Sequence, residues 1–186
     1  MGSVSHAGKH VAPLVTYSDV QAADDRFARW YAAESASLKA TLCVVTGNPD
    51  LAEEATAEAF ARAYARWTTV EVMASPGGWV YTVALNLVRR WARRHALERM
   101  TVARFRGSDM PVEVMPELDD ELWRAVGDLP PRARTAIGLR YVADLPEGEI
   151  ADIMGISRGA VAATLSKARI RLAAALAESH EGNGAG

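Results

Sequence analysis

Arginines and aromatic rings share one predicted helix, residues 79–100, and this combination suits single-stranded nucleic acid. The cations can neutralise phosphates, and exposed rings can stack on bases. The apolar stripe predicts that Trp79 is buried, whereas Tyr81 and Trp91 could belong either to the core or to a stacking surface. The candidate contacts on this helix are Tyr81, Asn86, Arg89, Arg90, Arg93 and Arg94.

A second candidate contact lies at residues 146–172, where two helical patterns flank Gly155. Glycine suits the left-handed conformation that ends a helix, and Ser157 suits the N-cap of the next one. Small Ala151 before the glycine and apolar Val161 after it are typical of a helix-turn-helix, whose second helix enters the major groove of DNA. The alternative is an ordinary helical hairpin within a bundle.

The predicted recognition helix turns Val161 and Leu165 inward and other side chains outward. We expect base contacts from Arg158, Ser166 and Lys167, and phosphate contacts from the arginines farther along. The alanines of the outward face can offer methyl groups to thymine. The candidate residues on this helix are Ser157, Arg158, Ala162, Ala163, Ser166, Lys167, Arg169 and Arg171.

Helical periodicity also runs through the rest of the chain, and no strand pattern interrupts it. Asp50 is predicted to cap a helix that continues to Trp67. Pro130 and Pro131 are predicted to start another helix, in which Ala133, Ile137 and Tyr141 are four residues apart. The remaining predicted helices are 24–45 and 119–126.

Composition divides the chain into two predicted domains. Residues 107–118 combine glycine, proline and acids, which predicts an acidic flexible linker between domains at 19–106 and 119–177. Residues 1–18 and 178–186 are predicted to be a flexible extension and a flexible tail. We therefore expect an all-α fold of two small helical domains, with the helix-turn-helix in the second.

The net charge of −2 conceals strong segregation along the 186 residues. Residues 71–106 hold seven arginines and two acids, residues 107–128 seven acids and one arginine, and residues 129–176 seven basic and four acidic residues. Two basic blocks separated by an acidic one suggest two contacts with nucleic acid. The alternative is that these charges only solvate helix faces.

Several kinds of site are not expected. The single cysteine, Cys43, excludes an internal disulfide and fits a protein of the reducing cytoplasm. We expect its side chain to be buried in the core. His6 and His10 have helical spacing but no third ligand nearby, so no metal site is predicted. The chain shows no signal peptide, membrane-length apolar run, P-loop, nucleotide-binding glycine motif or nucleophile–base pair. We expect neither a cofactor nor enzymatic activity.

Three stretches in series resemble extracytoplasmic-function (ECF) sigma factors of bacterial RNA polymerase, in the sigma-70 superfamily. NPDLAEEATAEAFARAYARW resembles their core-polymerase-binding helix, and WVYTVALNLVRRWARR is similar to the helix that reads and melts the −10 element. LPPRARTAIGLRYVADLPEGEIADIMGISRGAVAATLSKARIRL resembles their −35-binding domain. The resemblance covers roughly residues 24–176 in the same order.

The resemblance implies a dissociable polymerase subunit that directs promoter recognition and transcription initiation. Its partners would be core RNA polymerase and promoter DNA, with an anti-sigma factor as a further candidate. Arg90 stands where the family often has an aspartate. The competing interpretation is a helix-turn-helix regulator that does not bind core polymerase. The residues implied in polymerase binding are Asp50, Glu54, Glu58 and Arg62.

Overall fold

The computed structural model describes the backbone of residues 16–102 and 120–183 and the side chains of residues 16–94 and 121–177. Within these residues every regular element is helical, which confirms the predicted all-α class. The predicted linker at 107–118 and both histidines of the N-terminal stretch lie outside this part of the chain. The helices are α1 (Tyr17–Thr46), α2 (Pro49–Tyr64), α3 (Trp67–Val70), α4 (Pro76–Val102), α5 (Asp120–Gly127), α6 (Pro131–Ile137), α7 (Glu147–Met154) and α8 (Arg158–Asn183), with a π-helical turn at Gly138–Val142.

Helix α1 begins at Tyr17, seven residues before the start predicted at Asp24. A capping box starts the helix. The Thr16 hydroxyl accepts a hydrogen bond from the Asp19 backbone at 3.3 Å, and the Asp19 carboxylate accepts one from the Thr16 backbone at 3.0 Å. These hydrogen bonds also lower the pKa of Asp19. The threonine and aspartate three residues apart were the overlooked signal.

Helix α2 is capped by Asn48 and not by Asp50, which lies in its first turn. The Asn48 side-chain oxygen accepts a hydrogen bond from the Leu51 backbone at 2.9 Å. The helix ends at Tyr64, so Trp67 does not continue it but begins the short α3. Trp67 is nevertheless buried, because the turn after α2 places its ring against Phe27 and Trp30 of α1.

An aromatic cluster holds one end of the first domain together. The rings of Phe27 and Trp30 on α1 contact Phe60 on α2 and Trp67 on α3, with ring centroids 5.0–6.5 Å apart in these pairs. Such pairs contribute about 0.5–1.5 kcal/mol each beyond their burial. This packing positions α2 alongside α1, and α4 then packs on α2.

The second domain departs from the predicted helical register at the π-helical turn. Ala143 donates its backbone hydrogen bond to Gly138 at 3.1 Å, five residues back instead of four. The wider turn shifts the following residues around the helix axis. Ile137, just before the turn, is buried, whereas Tyr141, four residues later, is 56% exposed.

The helix-turn-helix is confirmed by the residues that were predicted to build it. Gly155 has φ 64°, and the Ile156 backbone donates to the Ala151 carbonyl at 3.0 Å, which closes α7. The Ser157 hydroxyl accepts a hydrogen bond from the Ala160 backbone at 3.2 Å and caps α8. Helix α8 continues to Asn183, so the predicted flexible tail from residue 178 is helical over its first six residues.

The two domains pack directly against each other. Helix α1 contacts α6 and the π-helical turn, and α4 contacts α7. Leu38 and Leu42 of α1 belong to the same buried cluster as Leu139 of the turn and Ile153 of α7. One continuous core therefore joins the two domains in this structure.

Candidate nucleic-acid and partner interfaces

The solvent face of α4 carries the predicted asparagine and arginines. Leu85, Leu87 and Val88 are buried on the opposite side, because the periodicity of the helix separates the two sets. The Asn86 side-chain oxygen accepts a hydrogen bond from Arg89 at 3.3 Å, and both groups remain exposed. The exposed polar set within about two turns is Asn86, Arg89, Arg90, Arg93 and Arg94.

Tyr81 does not belong to this face. Its side chain is 2% exposed, and its hydroxyl lies 3.0 Å from the Ser37 hydroxyl of α1. Burial raises the pKa of Tyr81 above its ordinary value. A ring buried against α1 cannot stack on a base. The prediction that Tyr81 contacts nucleic acid was therefore wrong. It is one of the largest fully buried side chains and serves the core.

A groove between α2 and α4 brings together three of the four residues implied in polymerase binding. Glu54, Glu58 and Arg62 line its α2 side, and Arg90 and Trp91 line its α4 side. Asp50 is exposed one turn earlier on α2 and does not line the groove.

The groove combines paired charge with an apolar floor. Arg62 and Glu58 form an ion pair at 2.6 Å, while Glu54 is exposed. Trp91 is half-buried: it packs against the core and also lines the groove. Sequence reasoning did not assign Trp91 to this surface, because its neighbours across the groove belong to another helix.

The outer face of α8 is open. Val161, Leu165 and Ala168 are buried against the domain, whereas Arg158, Ser166 and Lys167 are exposed as predicted. The other predicted residues Ser157, Ala163, Arg169 and Arg171 are also exposed, and Ala162 is half-buried. The Arg158 side chain lies 3.7 Å from Glu147 at the start of α7, which makes a loose ion pair at the surface.

Other classes of site find no support in the described residues. No group of histidine, cysteine or acidic side chains among them could hold a metal ion. None of the described helices is both long and apolar enough to cross a bilayer. Cys43 is 6% exposed, as expected for a small core residue, and burial raises the pKa of its thiol.

The chain matches two family models in succession. The model of sigma-70 region 2 matches residues 30–98, and that of sigma-70 region 4 matches residues 119–172. The chain is 29% identical over 136 residues to RNA polymerase sigma-E factor of Streptomyces coelicolor, which covers 67% of this chain and 71% of that protein. It is 27% identical over 138 residues to ECF RNA polymerase sigma factor SigW of Bacillus subtilis, with coverage of 66% and 74%.

Solved structures show the same fold. The sigma factor RpoE, in complex with the anti-sigma factor NepR from Bartonella quintana, has a TM-score of 0.73 and 21% identity and covers 82% of this chain and 97% of its own. CnrH, in complex with the cytosolic domain of CnrY, has a TM-score of 0.60 and 20% identity, with coverage of 86% and 94%. The two consecutive sigma-70 regions and the ECF relatives show that this chain belongs to the ECF sigma factors, which bind core RNA polymerase and promoter DNA to direct transcription initiation.

Proposed function

We propose that three surfaces of this sigma factor divide the work of initiation. The groove between α2 and α4 binds core polymerase, the exposed face of α4 captures the separated −10 strand, and the outer face of α8 reads the −35 element. The polymerase supplies the chemistry, so the chain has no active site of its own and acts where the polymerase acts, in the cytoplasm. The observation that carries this proposal is the exposed Asn86–Arg94 face directly beside the groove.

The −10 role is supported by the chemistry of the α4 face. The Asn86 amide can both donate to and accept from the edge of an unpaired base. The arginines around it can hold the strand through its phosphates. Arg90 lines the groove as well, so the polymerase and strand surfaces share a residue. Polymerase binding would therefore place the strand-capturing face at the DNA.

The −35 role is supported by the helix-turn-helix geometry. Gly155 and the Ser157 cap hold α8 against α7 and leave its first turns exposed, as entry into a major groove requires. Lys167 and Arg158 can donate to guanine, while Ala163 can contact a thymine methyl.

A promoter-library transcription assay tests this function. Core RNA polymerase would be incubated with templates whose −35 and −10 elements are randomised, with and without this protein, and the run-off transcripts would be sequenced. We expect enrichment of one −35 and one −10 sequence only when the protein is present. Binding to duplex DNA without any run-off product would favour the competing regulator that does not bind core polymerase.

Replacing Lys167 with alanine is expected to weaken binding to the selected −35 duplex by about 1–3 kcal/mol, the range for one good base contact. The loss should be larger on the selected duplex than on a scrambled one. Fluorescence anisotropy with both duplexes measures it. Arg171→Ala is the matched variant: as a phosphate contact it should weaken both duplexes alike and lower the salt slope by about 1. Equal losses on both duplexes for Lys167→Ala would make Lys167 a phosphate contact instead.

We also propose an anti-sigma factor as a partner of this chain. The support is that the similar fold of RpoE was solved with the anti-sigma factor NepR bound, and that of CnrH with the cytosolic domain of CnrY bound. Helices α1, α4, α6 and α7, which form the domain contact, would give such a partner composite surfaces from both domains.

A further inference from the structure

One ion pair joins the N-terminal ends of the two helices of the helix-turn-helix. Glu147 is the first residue of α7, and Arg158 is the first residue of α8. Nε of Arg158 lies 3.7 Å from Oε2 of Glu147, which is within ion-pair distance but too long for a hydrogen bond. The Arg158 side chain is 77% exposed and that of Glu147 is 34% exposed, so the pair lies at the surface. We call it the Glu147–Arg158 pair.

These helix ends are the part of a helix-turn-helix that meets DNA. The N-terminal residues of the recognition helix contact base edges, and the preceding helix crosses the sugar-phosphate backbone. A carboxylate at this place opposes DNA binding in general, because it repels the phosphates. The position of Glu147 beside Arg158 therefore suggests a role in selecting DNA rather than in attracting it.

Arg158 is the only cation in the first two turns of α8. Residues 159–164 are glycine, alanine, valine and threonine, and the next cation along the helix is Lys167. No atom of the described residues lies within 4 Å of a methyl group placed at Gly159, so the start of the helix is open on this side. A charged base contact from these two turns therefore depends on where the Arg158 guanidinium points.

The Glu147–Arg158 pair leaves the terminal nitrogens of the arginine available. The carboxylate approaches Nε, on one edge of the guanidinium. Among the described residues the Arg158 side chain has no other ion-pair partner. Two N–H groups of a guanidinium fit the N7 and O6 acceptors of guanine in the major groove. Arg158 can therefore bind guanine while its Nε stays beside Glu147.

The same carboxylate disfavours other contacts of the arginine. An arginine held on one side loses less rotamer freedom when it binds guanine, and it is less free to turn toward a phosphate. Adenine presents a donor beside its acceptor, and cytosine presents a donor, so a fork fixed in this orientation loses hydrogen bonds to them. The pair is weak in water, but its electrostatic interaction strengthens where docked DNA excludes solvent.

We propose that Glu147 is a positioning residue for −35 recognition, which acts through Arg158 to increase the preference for guanine at one position of the element. The inference rests on the proposed reading of the −35 element by α8. Glu147 lowers the general attraction to DNA by one charge and raises the discrimination between bases. The first helix of the helix-turn-helix thereby contributes to sequence specificity without contacting a base.

Competitive transcription by the complete holoenzyme tests this inference. Core polymerase and this protein would transcribe two promoters that differ in a single −35 base pair, and the ratio of their run-off products measures the preference. Arg158→Ala first identifies the position, because guanine preference should be lost there and at no other position. Lower stability or weaker general affinity reduces both products alike, so a merely structural effect leaves the ratio unchanged.

Two variants of Glu147 are expected to lower the guanine preference at that position about fivefold, the limit for an ion pair of this kind. Glu147→Gln keeps the size of the side chain and removes its charge. Glu147→Asp keeps the charge and withdraws it from Arg158 by one methylene. Glu149→Gln is the matched control, because Glu149 carries the same charge in the same turn but lines a cleft with Trp79 of α4. Its product ratio should match that of the unmodified chain.

The outcomes separate this inference from the proposed function. An unchanged ratio in Glu147→Gln or Glu147→Asp, when Arg158→Ala loses the preference, would overturn the positioning role alone. An equal fall in Glu149→Gln would also overturn it, because the effect would then come from the net charge of α7. If Arg158→Ala keeps every base preference, the proposed base contact of Arg158 fails and the inference fails with it.

Discussion

Replacing Trp91 with alanine is expected to weaken binding of this sigma factor to core RNA polymerase about thirtyfold or more. Trp91 is a half-buried wall of the groove whose α2 side carries Glu54, Glu58 and Arg62. Aromatic side chains in partly desolvated pockets are typical binding hot spots, and their truncation commonly costs about 2 kcal/mol or more. Surface plasmon resonance with immobilised core polymerase measures the loss.

A second variant separates binding from stability, because Trp91 also packs on the core. Ala61→Trp keeps Trp91 and fills the groove from the α2 side, where Ala61 is exposed. It should reduce core binding without lowering the melting temperature, since exposed positions tolerate substitution. Ala33→Trp on the exposed part of α1, outside the groove, is the matched control. Normal binding by Ala61→Trp would remove the groove from the polymerase interface.

Replacing Asn86 with alanine is expected to lower open-complex formation about tenfold to a hundredfold, with core binding and −35 binding nearly intact. Flipping a base out of the duplex costs a few kcal/mol, which its pocket must offset. The loss of a two-point amide contact corresponds to about 1–3 kcal/mol. Asn86 is exposed and outside the groove, so its removal should not affect assembly.

Permanganate footprinting of unpaired thymines on the duplex promoter measures this effect. A template with a pre-melted −10 bubble should largely rescue Asn86→Ala if the amide serves melting. Asn86→Asp keeps the size of the side chain but removes its N–H donors, so it reports whether donation to the base matters. Normal thymine reactivity with Asn86→Ala on duplex DNA would exclude Asn86 from melting.

The position of Arg90 has a consequence for both predictions. It lies on the exposed face of α4 and also lines the groove, next to Trp91. An arginine there can attract phosphate, whereas the aspartate that is frequent in the family would repel it. Polymerase docking and strand capture are therefore expected to share one cation in this chain.

The amino-acid sequence by itself determined the helix-turn-helix. Gly155, the Ser157 cap and the buried Val161 act through hydrogen bonds and packing within a few residues, so local spacing was sufficient to predict them. The same reasoning predicted the exposed Asn86–Arg94 face, because a strongly amphipathic helix separates its own polar side. Two local features were nevertheless overlooked: the Thr16–Asp19 capping box that starts α1 and the Asn48 cap of α2.

Only the tertiary structure decided the features that depend on a second helix. Tyr81 shares α4 with the arginines, yet packing against Ser37 of α1 buries it. Trp91 became part of a groove because α2 lies opposite, and Gly138 became a contact because α1 passes within van der Waals distance. Helical periodicity identifies which side chains share a face. The helix that covers the face is set by packing between segments far apart in the chain, which periodicity does not encode.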